Sequence, residues 1–380
     1  MMYDMKIAWI SWLRWFSMML IFLYHLNQIR PIQNLEKWDW EIYQFVSLLP
    51  VVVSIFFLLW WFLRSLSYWK VFFEWGKIPP FWKWMKDRFF RIAPLYYLAV
   101  ILSFAISIIF TNPDWKSFFV AFTFFNWIHP STFFPVALNG PLWFVSYDMM
   151  GNLFVMIFMT SLLALLQREK KYRALLTIIF FLLGFSLLIL LHFVFISLPF
   201  PHSEWIVSVW FPYYNPYMFG LYYLFWAMIA GIYLFLEKHK IPRDSLFDGL
   251  FFGICLIIIH YLNSILWAND LAYSFPRSPY RFPLLPLLFG IWIFTLLMSR
   301  YLAKWIDNRL FLFFARISYA LYLTHALIIA ILYETFFWWK LITFNDWIFF
   351  SVVALLVSLF VAIILSKWEE LFSKKYLASK

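Results

Sequence analysis

Apolar runs of about twenty residues, separated by short polar stretches, recur along nearly the whole chain. A helix needs roughly 20 mostly apolar residues to cross the hydrocarbon core of a bilayer. Ten stretches meet that requirement: 8–27, 46–64, 91–110, 141–166, 174–197, 215–236, 247–267, 283–303, 317–338 and 347–366. One further apolar piece, 118–128, is too short. At ~1.5 Å per residue it covers little more than half the core. The pattern predicts an all-α, polytopic integral membrane protein with ten transmembrane helices and one short re-entrant or interfacial helix.

Charge fixes the expected orientation. With the N-terminus in the cytoplasm, 23 of the 30 Lys and Arg fall on the inner side and 6 on the outer. Cytoplasmic loops carry such an excess, so both termini are expected inside. Were 118–128 to span, every later basic loop would face outward. The short piece is therefore placed at the outer face, and backbone of that kind is tolerated where it lines a wet cavity.

Composition agrees. Hydrophobic residues make up 65% of the chain and charged residues 13%, with 24 Trp and 22 Tyr. A soluble domain carries roughly half apolar and a quarter charged residues. The net charge of +11 sits in short loops between apolar runs, which reads as membrane topology rather than nucleic-acid binding. The single cysteine, Cys255, excludes an intrachain disulfide and a multi-cysteine metal site. No metal-ligand spacing, phosphate loop or nucleophile elbow is present, so no metal is expected. No cleavable leader is read in the first apolar run, and residues 1–380 read as one membrane-embedded domain without a soluble accessory unit.

Charged groups inside a bilayer are costly, so those placed there are informative. Arg14 and His25 share the first span. At 100° per residue their separation ends about 20° past three full turns, so they share a face roughly 16 Å apart along the axis. Their alternative reading is that Arg14 snorkels inward and His25 lies among headgroups. Asp148 lies in the outer part of the fourth span, at the depth of His25. An Asp–His pair there would fix the imidazole tautomer for a general base; the alternative is another donor or water. Arg88 and Arg91, one turn apart where a basic loop enters the third span, form a fork suited to phosphates, or serve as anchors of the positive-inside kind. Tyr319, Tyr322 and His325 recur at three-residue steps in the ninth span, which makes them neighbours on a helix. His192 and His260 stand isolated in apolar runs and are given no role.

Together these motifs resemble the acyltransferase-3 family of integral membrane O-acyltransferases. Arg14 and His25, with ten residues between them, match its first-helix pair. Arg88, Arg91, Ile92 and Pro94 match an Arg-x-x-Arg leading into Ile-x-Pro. Pro141, Leu142, Trp143 and Asp148 match a Pro-Leu-Trp stretch before an acidic residue, and Ser318, Tyr319, Tyr322, Leu323 and His325 match a segment near the end. Two positions depart from the pattern. Asp148 stands where Glu is usual, and Trp60-Trp61 replaces a Ser-Gly pair in the second span.

The resemblance implies an acyltransferase taking an acyl group, most often acetyl, from acyl-CoA on the cytoplasmic side. Acetyl-CoA is thus the expected co-substrate. Arg88 and Arg91 would hold its phosphates, with Tyr319 and His325 lining the passage and Arg14 acting deeper. His25 would take the proton from an acceptor hydroxyl, or carry the acyl group as an acyl-imidazole, and Asp148 would orient it. Family precedent points to a carbohydrate acceptor, on a glycan or glycolipid at the outer face, and to a multi-pass protein of the plasma membrane. Trp127, Trp205 and Trp210 would either stack on sugar rings or anchor the interface. A polysaccharide transporter of the same fold is the competing reading, against which stand the lack of an internal repeat and of matched broken spans.

Overall fold

A computed structural model describes residues 8–30, 37–47, 49–74, 76–78, 80–126, 132, 134, 136–168, 170–197, 216–240, 244–267, 284–302, 309–337 and 343–377. Among them the chain is helical, without a named strand. The α-helices described are α1 (Ala8–Gln28), α2 (Lys37–Ser47), α3 (Val53–Glu74), α4 (Phe81–Phe110), α5 (Trp115–Ala121), α6 (Trp143–Arg168), α7 (Arg173–Ser197), α8 (Pro216–Lys238), α9 (Leu246–Trp267), α10 (Leu284–Met298), α11 (Arg309–Leu332) and α12 (Phe344–Leu377). A helix stands at each of the ten apolar stretches. Among the described residues six segments are long and apolar enough to cross a membrane: Phe81–Phe110, Leu138–Arg168, Arg173–Leu191, Leu246–Ser264, Arg309–Phe337 and Phe344–Phe372.

Local sequence explains where several helices start. Asp114 caps α5, its carboxylate accepting from the N–H groups of Lys116 and Ser117, as unpaired first-turn donors require. Thr343 and Asp346 cap α12 reciprocally: Asp346 Oδ2 accepts from the Thr343 N–H at 2.9 Å, and Thr343 Oγ1 from the Asp346 N–H at 3.2 Å. The short helix expected over 118–128 lies at Trp115–Ala121, only seven residues long. Tyr97 pins its end by donating to the Phe122 carbonyl at 2.8 Å. Trp127, singled out above, lies outside the described residues, as do Trp205 and Trp210.

Packing sorts the helices into central and peripheral ones. α11 packs against α1 and α12, α3 against α8 and α6, and α4 against α12 and α11. α7 and α9 present mostly exposed apolar side chains, among them Leu182, Leu183, Leu190, Phe252 and Leu256, the surface a helix turns toward lipid. Polar ties fix the relative height of the central helices. Trp347 Nε1 donates to the Leu26 carbonyl at 3.0 Å, joining the end of α1 to the start of α12. The Arg30 guanidinium covers the Phe344 and Trp347 rings at 4.8 and 5.0 Å. Asn27 Nδ2 donates to the Tyr43 carbonyl and Ser47 Oγ, holding α2 against α1.

Trp61 answers what replaces the small pair expected in α3. Its indole is fully buried and meets the Tyr223 ring edge-on, centroids 3.5 Å apart. Tyr223 in turn donates to the Tyr147 carbonyl at 2.7 Å. Gly151 permits this, because a Cβ there would run into the Tyr223 ring. The bulk of Trp61 is thus absorbed by a three-helix contact of α3, α6 and α8. Trp60 carries no described side chain.

Candidate active site

The approach of α6 to the core decides the site's geometry. Before it, Ala137–Leu142 form a 3-10 turn, interrupted by Asn139 at φ −135°, ψ 61°. This turn is buried against α11 and held by side chains. Asn139 Nδ2 donates to Leu323 O at 2.8 Å and to Ser103 Oγ at 2.9 Å, and Tyr322 OH donates to Pro141 O at 2.9 Å. Buried polar groups need such partners. The start of α6 is therefore level with Tyr322 and Leu323, and Asp148 lies five residues further along, ~7.5 Å deeper by helical rise.

That shift overturns the expected Asp148–His25 pair. Asp148 Oδ2 accepts from Arg88 Nη2 at 2.8 Å, and both side chains are buried. Asn152, one turn on in α6, donates to the same oxygen at 3.2 Å, and its own Oδ1 accepts from buried Arg64 of α3. A chain Arg64–Asn152–Asp148–Arg88 thus joins α3, α6 and α4. A carboxylate removed from water at that depth requires a cation, and Arg88 is the one α4 brings to its level.

These groups border a cavity of about 830 Å³, within the range of small-molecule and cofactor sites. Arg14, Arg88, Arg91, Arg316 and Lys367 supply five basic side chains to its wall, and Asp148, Glu369 and Glu370 three acidic ones. Arg91, Arg316 and Lys367 are exposed, whereas Arg88 is buried. Tyr319 lines the same cavity, with its hydroxyl donating to Ile92 O at 3.0 Å. Pro94 lies inside α4, three residues beyond Arg91; lacking an N–H, it leaves the carbonyl four residues back without its helical bond. Three rings also border the cavity, Phe56, Phe144 and Tyr322. They pack on one another with centroids 5.2 to 5.9 Å apart.

His25 and His325 lie outside that cavity, in contact with each other. Their ring centroids are 5.1 Å apart, and Tyr322 bridges toward the cavity with its ring 5.9 Å from His325. His25 Nδ1 lies 2.8 Å from Gln28 Oε1, and Gln28 Nε2 donates to Tyr24 OH at 2.9 Å. The group that orients His25 is thus a neutral amide one turn along its own helix. Arg14 and His25 keep the expected spacing, because α1 is continuous from Ala8 to Gln28.

The sequence-derived candidates therefore fall into two clusters. Arg14, Arg88, Arg91, Asp148 and Tyr319 meet at the cavity, and His25 and His325 meet beyond its aromatic border. Arg64, Arg316, Lys367 and Glu369 were not singled out by sequence, since each reads as an ordinary charge near a helix end. Asn152 carried a usable signal, four residues after Asp148 on one helix face. Gln28, three residues after His25, carried another. Among the described residues no cluster of His, Cys, Asp or Glu is arranged to hold a metal ion.

A family model described as an acyltransferase domain matches residues 7–367, nearly the whole chain. No curated protein and no solved structure matches it.

Proposed function

The chain belongs to the acyltransferase-3 family, and from that premise we propose that it moves an acyl group, acetyl in the simplest case, from acyl-CoA to a hydroxyl. The acceptor we assign is a carbohydrate, on a glycan or glycolipid at the outer face, and the location a multi-pass position in the plasma membrane with both termini inside. The observation that carries this reading is the pairing of one basic cavity with one histidine centre. Arg14 stands at the cavity and His25 roughly 16 Å further along the same helix face.

Each group then has a task. Arg91, Arg316 and Lys367, exposed at the cavity wall, hold the donor's phosphates, which suit guanidinium forks and ammonium charges. Arg88 is already compensated by Asp148, so its part is to fix that carboxylate and the shape of the wall. Arg14, further in, meets charge that develops on the donor. The pantetheine arm reaches the histidines past Phe56, Phe144 and Tyr322, the rings at the cavity's border. There His25, oriented by Gln28, takes the proton from the acceptor hydroxyl as it attacks the thioester carbonyl.

The test is donor binding and turnover. Detergent-purified protein should be stabilised by acetyl-CoA against heat, and should release CoA–SH when a hydroxyl acceptor is present. His25→Ala should abolish release while keeping the stabilisation. If no acyl-CoA stabilises the folded protein, the transferase reading fails and a transporter of the same fold takes its place.

A further inference from the structure

The mechanism above uses one histidine, yet two are in contact. His325 is completely buried in α11. Its Nδ1 lies 2.9 Å from the Tyr322 carbonyl and 3.1 Å from the Leu321 carbonyl. Carbonyl oxygens only accept, so Nδ1 carries the hydrogen, and a neutral imidazole has no second one. Nε2 therefore holds a bare lone pair. It is buried and has no hydrogen-bond partner among the described residues, a costly condition for a polar atom removed from water.

Its direction follows from the ring. Nδ1 faces the backbone of α11, so Nε2 faces away from that backbone, and the Phe22 and His25 rings of α1 are neighbours of the His325 ring, with centroids 6.1 and 5.1 Å from it. His25 is locked in the same way. Its Nδ1 lies 2.8 Å from Gln28 Oε1, and with Gln28 Nε2 donating to Tyr24 OH that contact puts the His25 hydrogen on Nδ1. Both imidazoles thus keep their hydrogen on Nδ1 and leave Nε2 bare. No hydrogen bond joins the two rings in this state, and a proton gained by His25 would supply the donor that His325 Nε2 lacks.

We propose that His325 is a positioning partner of His25, its Nε2 accepting a hydrogen bond from His25 Nε2–H once His25 has taken the acceptor's proton; this rests on the acyltransferase reading of the site. In the step itself the hydroxyl oxygen bonds to the thioester carbonyl carbon and its proton passes to His25 Nε2. The C–S bond breaks, and the thiolate leaves with the electron pair and then takes that proton from His25. His325 gains and loses no covalent bond. Its hydrogen bond forms only after the proton has reached His25, so it stabilises protonated His25 over the neutral resting state.

Two substitutions separate this role from packing. His325→Phe keeps a ring of similar bulk, and His325→Gln restores an acceptor oxygen. With acetyl-CoA as donor and octyl β-glucoside as the hydroxyl probe in lipid nanodiscs, KM for acetyl-CoA should stay unchanged in both, since His325 does not border the cavity. kcat should fall on the order of 100-fold in His325→Phe and recover for the most part in His325→Gln. Full kcat in His325→Phe, or equal loss in both variants, would overturn the proposal. A second measurement needs no substrate. ¹⁵N-histidine spectra of the wild-type protein should show His25 and His325 both protonated at Nδ1 and bare at Nε2. A hydrogen on His325 Nε2 refutes the pair whatever the enzyme's acceptor is, whereas failure of acetyl-CoA to bind refutes the acyltransferase reading and leaves the tautomers as they are.

Discussion

Asp148→Ala tests the buried network most directly. The substitution leaves the Arg88 guanidinium, 2.8 Å from the lost carboxylate, buried without that counter-charge. At an effective dielectric near 20, unit charges at that distance attract by about 6 kcal/mol. Part of this only offsets the desolvation of both groups, and removing one partner of such a pair costs about 3–5 kcal/mol. Asn152 Nδ2 also loses its acceptor, which adds ~1 kcal/mol or more. Against a total stability of roughly 5–15 kcal/mol, the variant should be only marginally folded. Replacing both partners, as Arg88→Met with Asp148→Leu, should recover most of the loss. The assay is a double-mutant cycle on unfolding free energy in mixed micelles, with a coupling of about 3 kcal/mol expected between Asp148 and Arg88. The same cycle between Asp148 and His25 should give additivity. A loss below about 1 kcal/mol in Asp148→Ala, or coupling to His25 in place of Arg88, would refute the reasoning.

Three further outcomes are expected. Gly151→Ala drives a methyl into the Tyr223 ring and should cost about 1–3 kcal/mol, with Tyr223→Leu relieving the clash in the same unfolding assay. Asn139→Ala removes donors to Ser103 and the Leu323 carbonyl and should cost about 1–3 kcal/mol; because that turn sets the height of α6, turnover should fall with it. Arg316→Ala and Lys367→Ala, exposed at the cavity, should each raise the dissociation constant for acetyl-CoA several-fold with kcat little changed, and the loss should shrink for a donor lacking its 3′-phosphate. A calorimetric titration with both donors reads this.

Much of the architecture is legible before any coordinates. A helix stands on every apolar stretch, and α1 preserves the single face that carries Arg14 and His25. Spacing along one helix is fixed by 3.6 residues per turn, so relations inside a single element survive into the structure. Gln28 and Asn152 could have been found by the same rule, as neighbours one turn from His25 and Asp148.

Relations between helices were another matter. Hydropathy places Asp148 beside His25, because it counts depth from the apolar boundaries and assumes that each helix starts at the membrane surface. The 3-10 turn at Ala137–Leu142, buried against α11 by Asn139 and Tyr322, starts α6 deeper. A relative axial shift costs nothing in the hydrophobic pattern, yet it changes which side chains meet. The sequence by itself determined the class, the helices, the family resemblance and the residues too polar for their setting. Only the tertiary structure decided their partners on other helices: Asp148 with Arg88, His25 with His325, and Arg316 and Lys367 at the cavity. The reason is physical. Periodicity along a chain encodes which face of a helix is buried, whereas the height of one helix against another is set by a few hydrogen bonds that no periodic pattern records.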